Sequence, residues 1–217
     1  MFLSIKNIPK VKWSSSKPSN LKPRFDTIIF LSMGLILFGL GEGLLIVSYT
    51  GSSPWSVLAQ GISLQTNLSV GLITFFLSLS ILIIWIYLDQ KPGIGTILNL
   101  IIISVMIDLS IFLIETPDSF FQQILIAFVG VFIVGLGSGF YLIANLGPGP
   151  RDGLMTGFQK KTKLSIALVR ACIEITVATT GWYLGGKIGF GTLLFAFGVG
   201  PCVALGLSIV KKIFKKI

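Results

Sequence analysis

The sequence predicts an all-α integral membrane protein: six transmembrane helices forming two inverted three-helix repeats, each with a short re-entrant or interfacial helix. Three observations lead there. The composition is 53% hydrophobic and only 12% charged, whereas a soluble domain carries about 25% charged residues. Six apolar runs of spanning length follow one another. The chain also repeats itself: residues 39–67 (GLGEGLLIVSYTGSSPWSVLAQGISLQTN) align without a gap with residues 135–163 (GLGSGFYLIANLGPGPRDGLMTGFQKKTK), an offset of 135 minus 39, or 96 residues. Of the 34 positions from 39 to 72, 12 are identical to their partners. Apolar bias alone does not place Gly51 on Gly147, Pro54 on Pro150, Lys91 on Lys187 and Thr96 on Thr192 in one register.

The elements follow in order. Residues 1–25 are basic, with Lys6, Lys10, Lys12, Lys17, Lys22 and Arg24, and Pro9, Pro18 and Pro23 interrupt any helix. They read as a loosely ordered cytoplasmic tail rather than a cleaved signal, because the apolar run that follows is too long for an h-region. Membrane repeat 1 covers 26–116 and membrane repeat 2 covers 122–210, and a second basic tail closes the chain at 211–217. Spans are expected near 27–48, 68–88, 94–114, 122–144, 164–184 and 191–210, each about 20 residues. Between the first and second span of each repeat lies a segment of about 12 residues, 53–64 and 149–160. At about 1.5 Å per residue such a helix is roughly 18 Å long, too short for a core of about 30 Å.

Charge sets the orientation. Of 17 basic residues, 13 fall in the tails and the 160–163 loop, as the positive-inside rule requires of cytoplasmic segments, and of the loop lysines only Lys187 falls outside. Both termini are therefore expected on the cytoplasmic side. Three spans per repeat force the second copy to enter from the opposite face, so the duplication is inverted. The basic excess does not point to nucleic acid, since no soluble module remains to carry such binding. The absence of histidine removes His ligands and His proton relays, and no cofactor or metal motif is present. Cys172 and Cys202 sit inside apolar runs as small hydrophobes rather than a disulfide framework. No nucleophile–base pair is visible, so the chain reads as no enzyme.

The candidate site gathers at the short segments. GSSP from Gly51 and GPGP from Gly147 each give an N-cap followed by proline at the first helical position, at Pro54 and Pro150. Gly/Pro-interrupted segments at matching positions of two inverted halves point to a transporter's central site; the alternative is a helix lying flat at each interface. The copies diverge where chemistry would matter: Gly147, Gly149, Pro150, Arg151 and Asp152 face Gly51, Ser53, Pro54, Trp55 and Ser56. Arg170 and Glu174 are four apart on one helix face, where repeat 1 has Thr74 and Ser78. Glu42 lies in GLGEG, the counterpart of Ser138 in GLGSG, and an acid at that depth is a candidate proton site. Asp108 lies nearer a helix end and ranks below it. The GLGxG patterns read as close helix packing. The candidate residues are thus Gly147, Gly149, Pro150, Arg151, Asp152, Arg170, Glu174, Glu42, Pro54 and Trp55, with Arg151 or Arg170 expected to hold an anionic or zwitterionic solute.

GPGPRDGLMTG, followed by Arg170, Glu174, the GWYLGG run from Gly181 and GFGT from Gly189, resembles the YczE/YyaS/YitT family of bacterial multi-pass membrane proteins. Repeat 1 matches less well, with PW in place of PRD. The resemblance implies transport, as a small exporter of an unidentified solute in contact with the lipid bilayer, and adds no catalytic residues. A non-transporting accessory protein is the alternative, and a homodimer is compatible with either.

Overall fold

The computed structural model of the chain describes residues 8–214. Lys6 of the first tail and Lys215 and Lys216 of the second lie outside the described residues. Among those described there are eight α-helices and no strand: α1 (Phe25–Val47), α2 (Pro54–Thr66), α3 (Val70–Tyr87), α4 (Ile94–Leu113), α5 (Phe120–Ala144), α6 (Pro150–Thr162), α7 (Ile166–Tyr183) and α8 (Phe190–Ile213). The boundaries recur at the sequence offset. Both α2 and α6 begin on proline and end on a left-handed residue, Asn67 or Lys163, each with φ of 59°. Both α3 and α7 open on a serine, Ser69 or Ser165, whose hydroxyl accepts from a backbone N–H three residues on.

Five helices are long and apolar enough to cross a membrane: α1, α3, α4, α5 and α8. Among the described residues these are five of the six spans expected from the sequence. The run expected at 164–184 forms α7, equal in length to α3 at 18 residues, but Arg170, Glu174 and three threonines place it outside the clearly spanning set.

Glycine decides which helices approach most closely. α1 and α5 run antiparallel through Gly34 against Gly137 and Tyr141, and Gly41 against Gly130 and Val134. A Cβ at any of these glycines on α1 would meet backbone at under 3 Å, so the axes are close enough only for small residues. α4 lies beside α1 through Gly39–Met106 and Gly43–Ser110, and α8 lies beside α5 through the equivalent pairs Gly135–Cys202 and Gly139–Gly206. The short helices are exchanged: α2 packs on α7, and α6 packs on α3.

The loops before the short helices are exchanged as well. Thr50 O accepts from Gly191 N–H at the start of α8, and Leu146 O accepts from Gly95 N–H at the start of α4. Gly51 and Gly147 turn these loops at φ of 107° and 110°, values that favour glycine. Each also lies against the opposing Gly–x–x–Thr start, Gly189 and Thr192 or Gly93 and Thr96, where no side chain fits.

One pairing is not repeated. α3 packs along α4, whereas α7 has no comparable packing on α8. The cause is Asp108 on α4: Oδ2 accepts from Ser69 Oγ at 2.6 Å and Oδ1 from Gly71 N–H at 2.7 Å. The carboxylate thereby satisfies the free donors at the start of α3, and Gly71 lies so close to Ser104 O that a Cβ would stand 2.2 Å away. The equivalent positions in the second half are Ala204 and Ala167. Thr74 and Ser78 are consequently buried, while their counterparts Arg170 and Glu174 keep 47% and 19% of their side-chain surface exposed. Asp108, half-buried, is thus an anchor for α3.

The first tail is also better ordered than expected. Val11 and Trp13 are buried; Trp13 stacks on Phe30 with centroids 4.7 Å apart and meets Phe214 edge-on at 5.8 Å. Ser15 N–H donates to Ala144 O, and Asn145 Nδ2 donates to Ser15 O. The basic side chains point outward while the interspersed apolar ones cover the ends of α1, α5 and α8.

Replacing Asp108 by alanine should therefore cost about 1–2 kcal/mol, the range for a lost helix cap. Thermal unfolding in detergent should register this as a Tm several degrees lower, with Asp108→Asn falling between the two. An unchanged Tm for Asp108→Ala would remove Asp108 as the cause of the α3–α4 contact.

Candidate functional site

The site is built where the first turns of α2 and α6 meet against α1. Proline at the first helical position leaves the following N–H groups of each short helix free. In both halves an acidic group and a hydroxyl are gathered at that end, with the roles reversed. On the α2 side the acid comes from the long helix: Glu42 of α1 is fully buried, and its Oε2 accepts from Ser53 Oγ and Ser56 Oγ, each at 2.6 Å. On the α6 side the acid comes from the short helix: Asp152 accepts from the Tyr141 hydroxyl of α5. Ser56 and Asp152 are equivalent positions, one N-terminal turn into their helices.

Arg151 joins the two sides. Its guanidinium Cζ lies 5.5 Å from the centroid of the Trp55 ring, within the range of cation–π attraction. Its Nη1 lies 3.9 Å from Glu42 Oε1, inside ion-pair reach but beyond a hydrogen bond. Glu42, Asp152 and Glu174 are the carboxylates whose fields act on it. Among the described residues Glu42 Oε1 has no hydrogen-bond partner, and neither have the buried Ser52 Oγ and Trp55 Nε1, the chain neighbours of Ser53 and Ser56.

α6 is fixed in place by α3. Trp85 Nε1 donates to Pro150 O at 3.1 Å, and Gly153 rests on the same indole so closely that a Cβ would stand 1.9 Å from Cζ2. Gly149 lies between Asn99 and Asp152. The first turn of α2 is buried through Pro54, Trp55, Ser56, Val57 and Leu58, while its last turn, Leu64 to Thr66, is exposed. The last turn of α6, Lys160 to Thr162, is exposed likewise.

The candidates from the sequence are thus largely brought together. Glu42, Pro54, Trp55, Gly149, Pro150, Arg151 and Asp152 share this junction, and Gly147 shapes the loop that leads to it. Arg170 and Glu174 form their own ion pair at 2.7 Å on α7, with Arg170 the more exposed of the two. Sequence reasoning missed Ser53 and Ser56 as partners of Glu42, although their three-residue spacing puts both hydroxyls on one helix face. It also missed Tyr141 and Trp85, for which an isolated polar-tipped aromatic in an apolar run was the only signal. Two surface grooves lie away from the junction: one of about 310 Å³ bounded by Trp13, Arg24 and Phe214, the other of about 450 Å³ between α5 and α8, bounded by Phe128, Phe132 and Pro201.

Removing both hydroxyls with Ser53→Ala/Ser56→Ala leaves a buried carboxylate without donors, at about 1–3 kcal/mol for each. The double variant should unfold at a clearly lower temperature, and adding Glu42→Gln should recover part of the loss. Additive effects in this cycle would mean that the hydroxyls do not support Glu42.

Residues 25–207 match a family described as "Family of unknown function (DUF6198)". An "Uncharacterized protein" of Haemophilus influenzae is 36% identical over 209 residues, covering 96% of this chain and 95% of that protein. The "Uncharacterized membrane protein YczE" of Bacillus subtilis is 34% identical over 187 residues, covering 82% and 84%. "Uncharacterized protein YyaS" of the same organism is 26% identical over 190 residues, covering 86% and 94%. No solved structure matches the chain. The matched span takes in every helix that builds the junction, from Glu42 on α1 to the start of α8, and over that span the chain belongs to the DUF6198 family, among membrane proteins of the YczE and YyaS type.

Proposed function

We propose that the protein is a small secondary transporter of the bacterial plasma membrane, exporting a small solute through a site between two inverted repeats. The observation that carries the reading is the junction itself: two short helices of opposite halves present their first turns to each other deep in the bundle, joined by Arg151, Trp55 and Glu42. Facing ends of discontinuous helices near mid-membrane are where transporters of inverted topology bind solute. The antiparallel run of α1 and α5, which occupy equivalent places in the two copies, supports the inversion. So does the burial of the first turn of α2, and of Pro150 and Gly153 in that of α6, with exposure of both last turns, which favours re-entry over a flat interfacial placement although Asp152 is exposed.

The unequal halves supply a route for movement. With α3 held to α4 and α7 standing off α8, one side of the junction is shut and the other opens past Arg170 and Glu174. Two states that exchange this inequality would give alternating access. Both termini then face the cytoplasm with the exposed Lys160, Lys161 and Lys163. Glu42 is placed to couple transport to protons, and α7 to be completed as the sixth span. A non-transporting accessory protein is the second reading, favoured by one observation: the two surface grooves lie away from the junction.

Cysteines placed singly along 49–58 and 145–154 in a Cys172/Cys202-free background, probed with an impermeant reagent from each side, test the reading. Positions at the junction should label from water, flanked by protected ones. Labelling of each loop from one side only, with a protected junction, would favour the accessory protein. Transplanting the anchor with Ala167→Gly/Ala204→Asp should dock α7 on α8 and slow labelling of Arg170→Cys several-fold; an unchanged rate would remove the α7–α8 opening from the mechanism.

A further inference from the structure

We infer that the junction binds a small organic cation, an ammonium or guanidinium ion that also carries a hydrogen-bond acceptor. The inference deepens the transport reading by naming the chemical class of its solute. It starts from Glu42. This side chain is fully buried, and while Oε2 holds two hydroxyl donors, Oε1 holds none. A bare buried carboxylate oxygen is a rarity that asks for a partner. The nearest cation, Arg151 Nη1, stands 3.9 Å away, too far to donate.

The charge count has the same sign. Arg170 and Glu174 neutralise each other as a pair. Counted as ionised, the buried Glu42 and the exposed Asp152 set two carboxylates against the single Arg151. One monovalent cation completes the site. An anion, as the arginines alone suggested, would meet both Glu42 and Asp152 on approaching Arg151.

The remaining open groups define the rest of the ligand. Trp55 Nε1 is a buried donor without an acceptor, and the Ser52 hydroxyl is unpartnered as well. A ligand with an acceptor next to its cationic group satisfies these while donating to Glu42 Oε1. A bare metal ion fits poorly, because it needs oxygen ligands on most sides and here the neighbours include a guanidinium and an indole N–H. An ammonium or guanidinium ion brings its own directed donors.

The test uses the full-length purified protein and titration calorimetry with ethanolamine, methylammonium, guanidinium and acetate, alongside melting curves. Ethanolamine should bind saturably at one site per chain, more tightly than methylammonium, and guanidinium should compete with it; acetate should not bind. Glu42→Gln should weaken ethanolamine at least tenfold. Trp55→Phe should bring ethanolamine down to the affinity of methylammonium, a readout available even if the Glu42 variant does not fold. Absence of saturable cation binding, undiminished binding in Glu42→Gln, uptake of a proton alone, or acetate binding that is lost in Arg151→Gln would each overturn the inference. Binding of ethanolamine without flux in proteoliposomes would keep the site and refute transport. Flux of a solute whose binding ignores Glu42 would do the reverse.

Discussion

Backbone groups that enter a bilayer without helical partners must be satisfied by protein, and much of this architecture meets that demand. The loops before α2 and α6 carry carbonyls that no helix of their own pairs, although Thr50 finds a local partner in Ser48 Oγ. Each is satisfied by the start of a long helix from the other half, Thr50 by Gly191 and Leu146 by Gly95. The exchange of loops explains the exchange of short helices, and it brings the two first turns face to face. Once there, those turns expose free N–H groups to the interior, and the acids at Glu42 and Asp152 take positions that their partial positive charge favours.

The two halves share a frame but not a set of contacts. A frame of equal copies could pack symmetrically; Asp108 and Gly71 in one half against Ala204 and Ala167 in the other prevent it. The same divergence puts hydroxyls at Thr74 and Ser78, where α3 packs on α4, and charges at Arg170 and Glu174 on α7, which lacks that packing. A charged pair is costly where apolar surroundings enclose it, and the less covered helix is the one that carries it.

Much of this was legible in the sequence. The register of Gly51 with Gly147 and Pro54 with Pro150 gave the short helices and their starts, because glycine at positive φ and proline at the first turn are local requirements. Glu42, Arg151 and Asp152 stood out because charge in an apolar run always demands a reason. What could not be read was tertiary. Asp108 ranked low because its partners, Ser69 and Gly71, are more than 35 residues away. Tyr141 carries no mark in an apolar helix that separates it from Leu or Phe until Asp152 is beside it. Trp13 sits among lysines and prolines, and composition averaged over that stretch hides the alternate apolar residues that fold inward.

The aromatic contact between Trp13 and Phe214 has a consequence in time. The indole made near the beginning of the chain waits for a phenyl ring synthesised 214 minus 13, or 201, residues later. At about 5–20 residues per second of synthesis this is a delay of roughly 10–40 s, during which an apolar surface at the membrane edge stays uncovered. The bundle can insert helix by helix, but Trp13 is clasped only once Phe214 has been made. A chain interrupted before Phe214 therefore presents an open indole that a longer one conceals, a difference that proteolytic surveillance can act on.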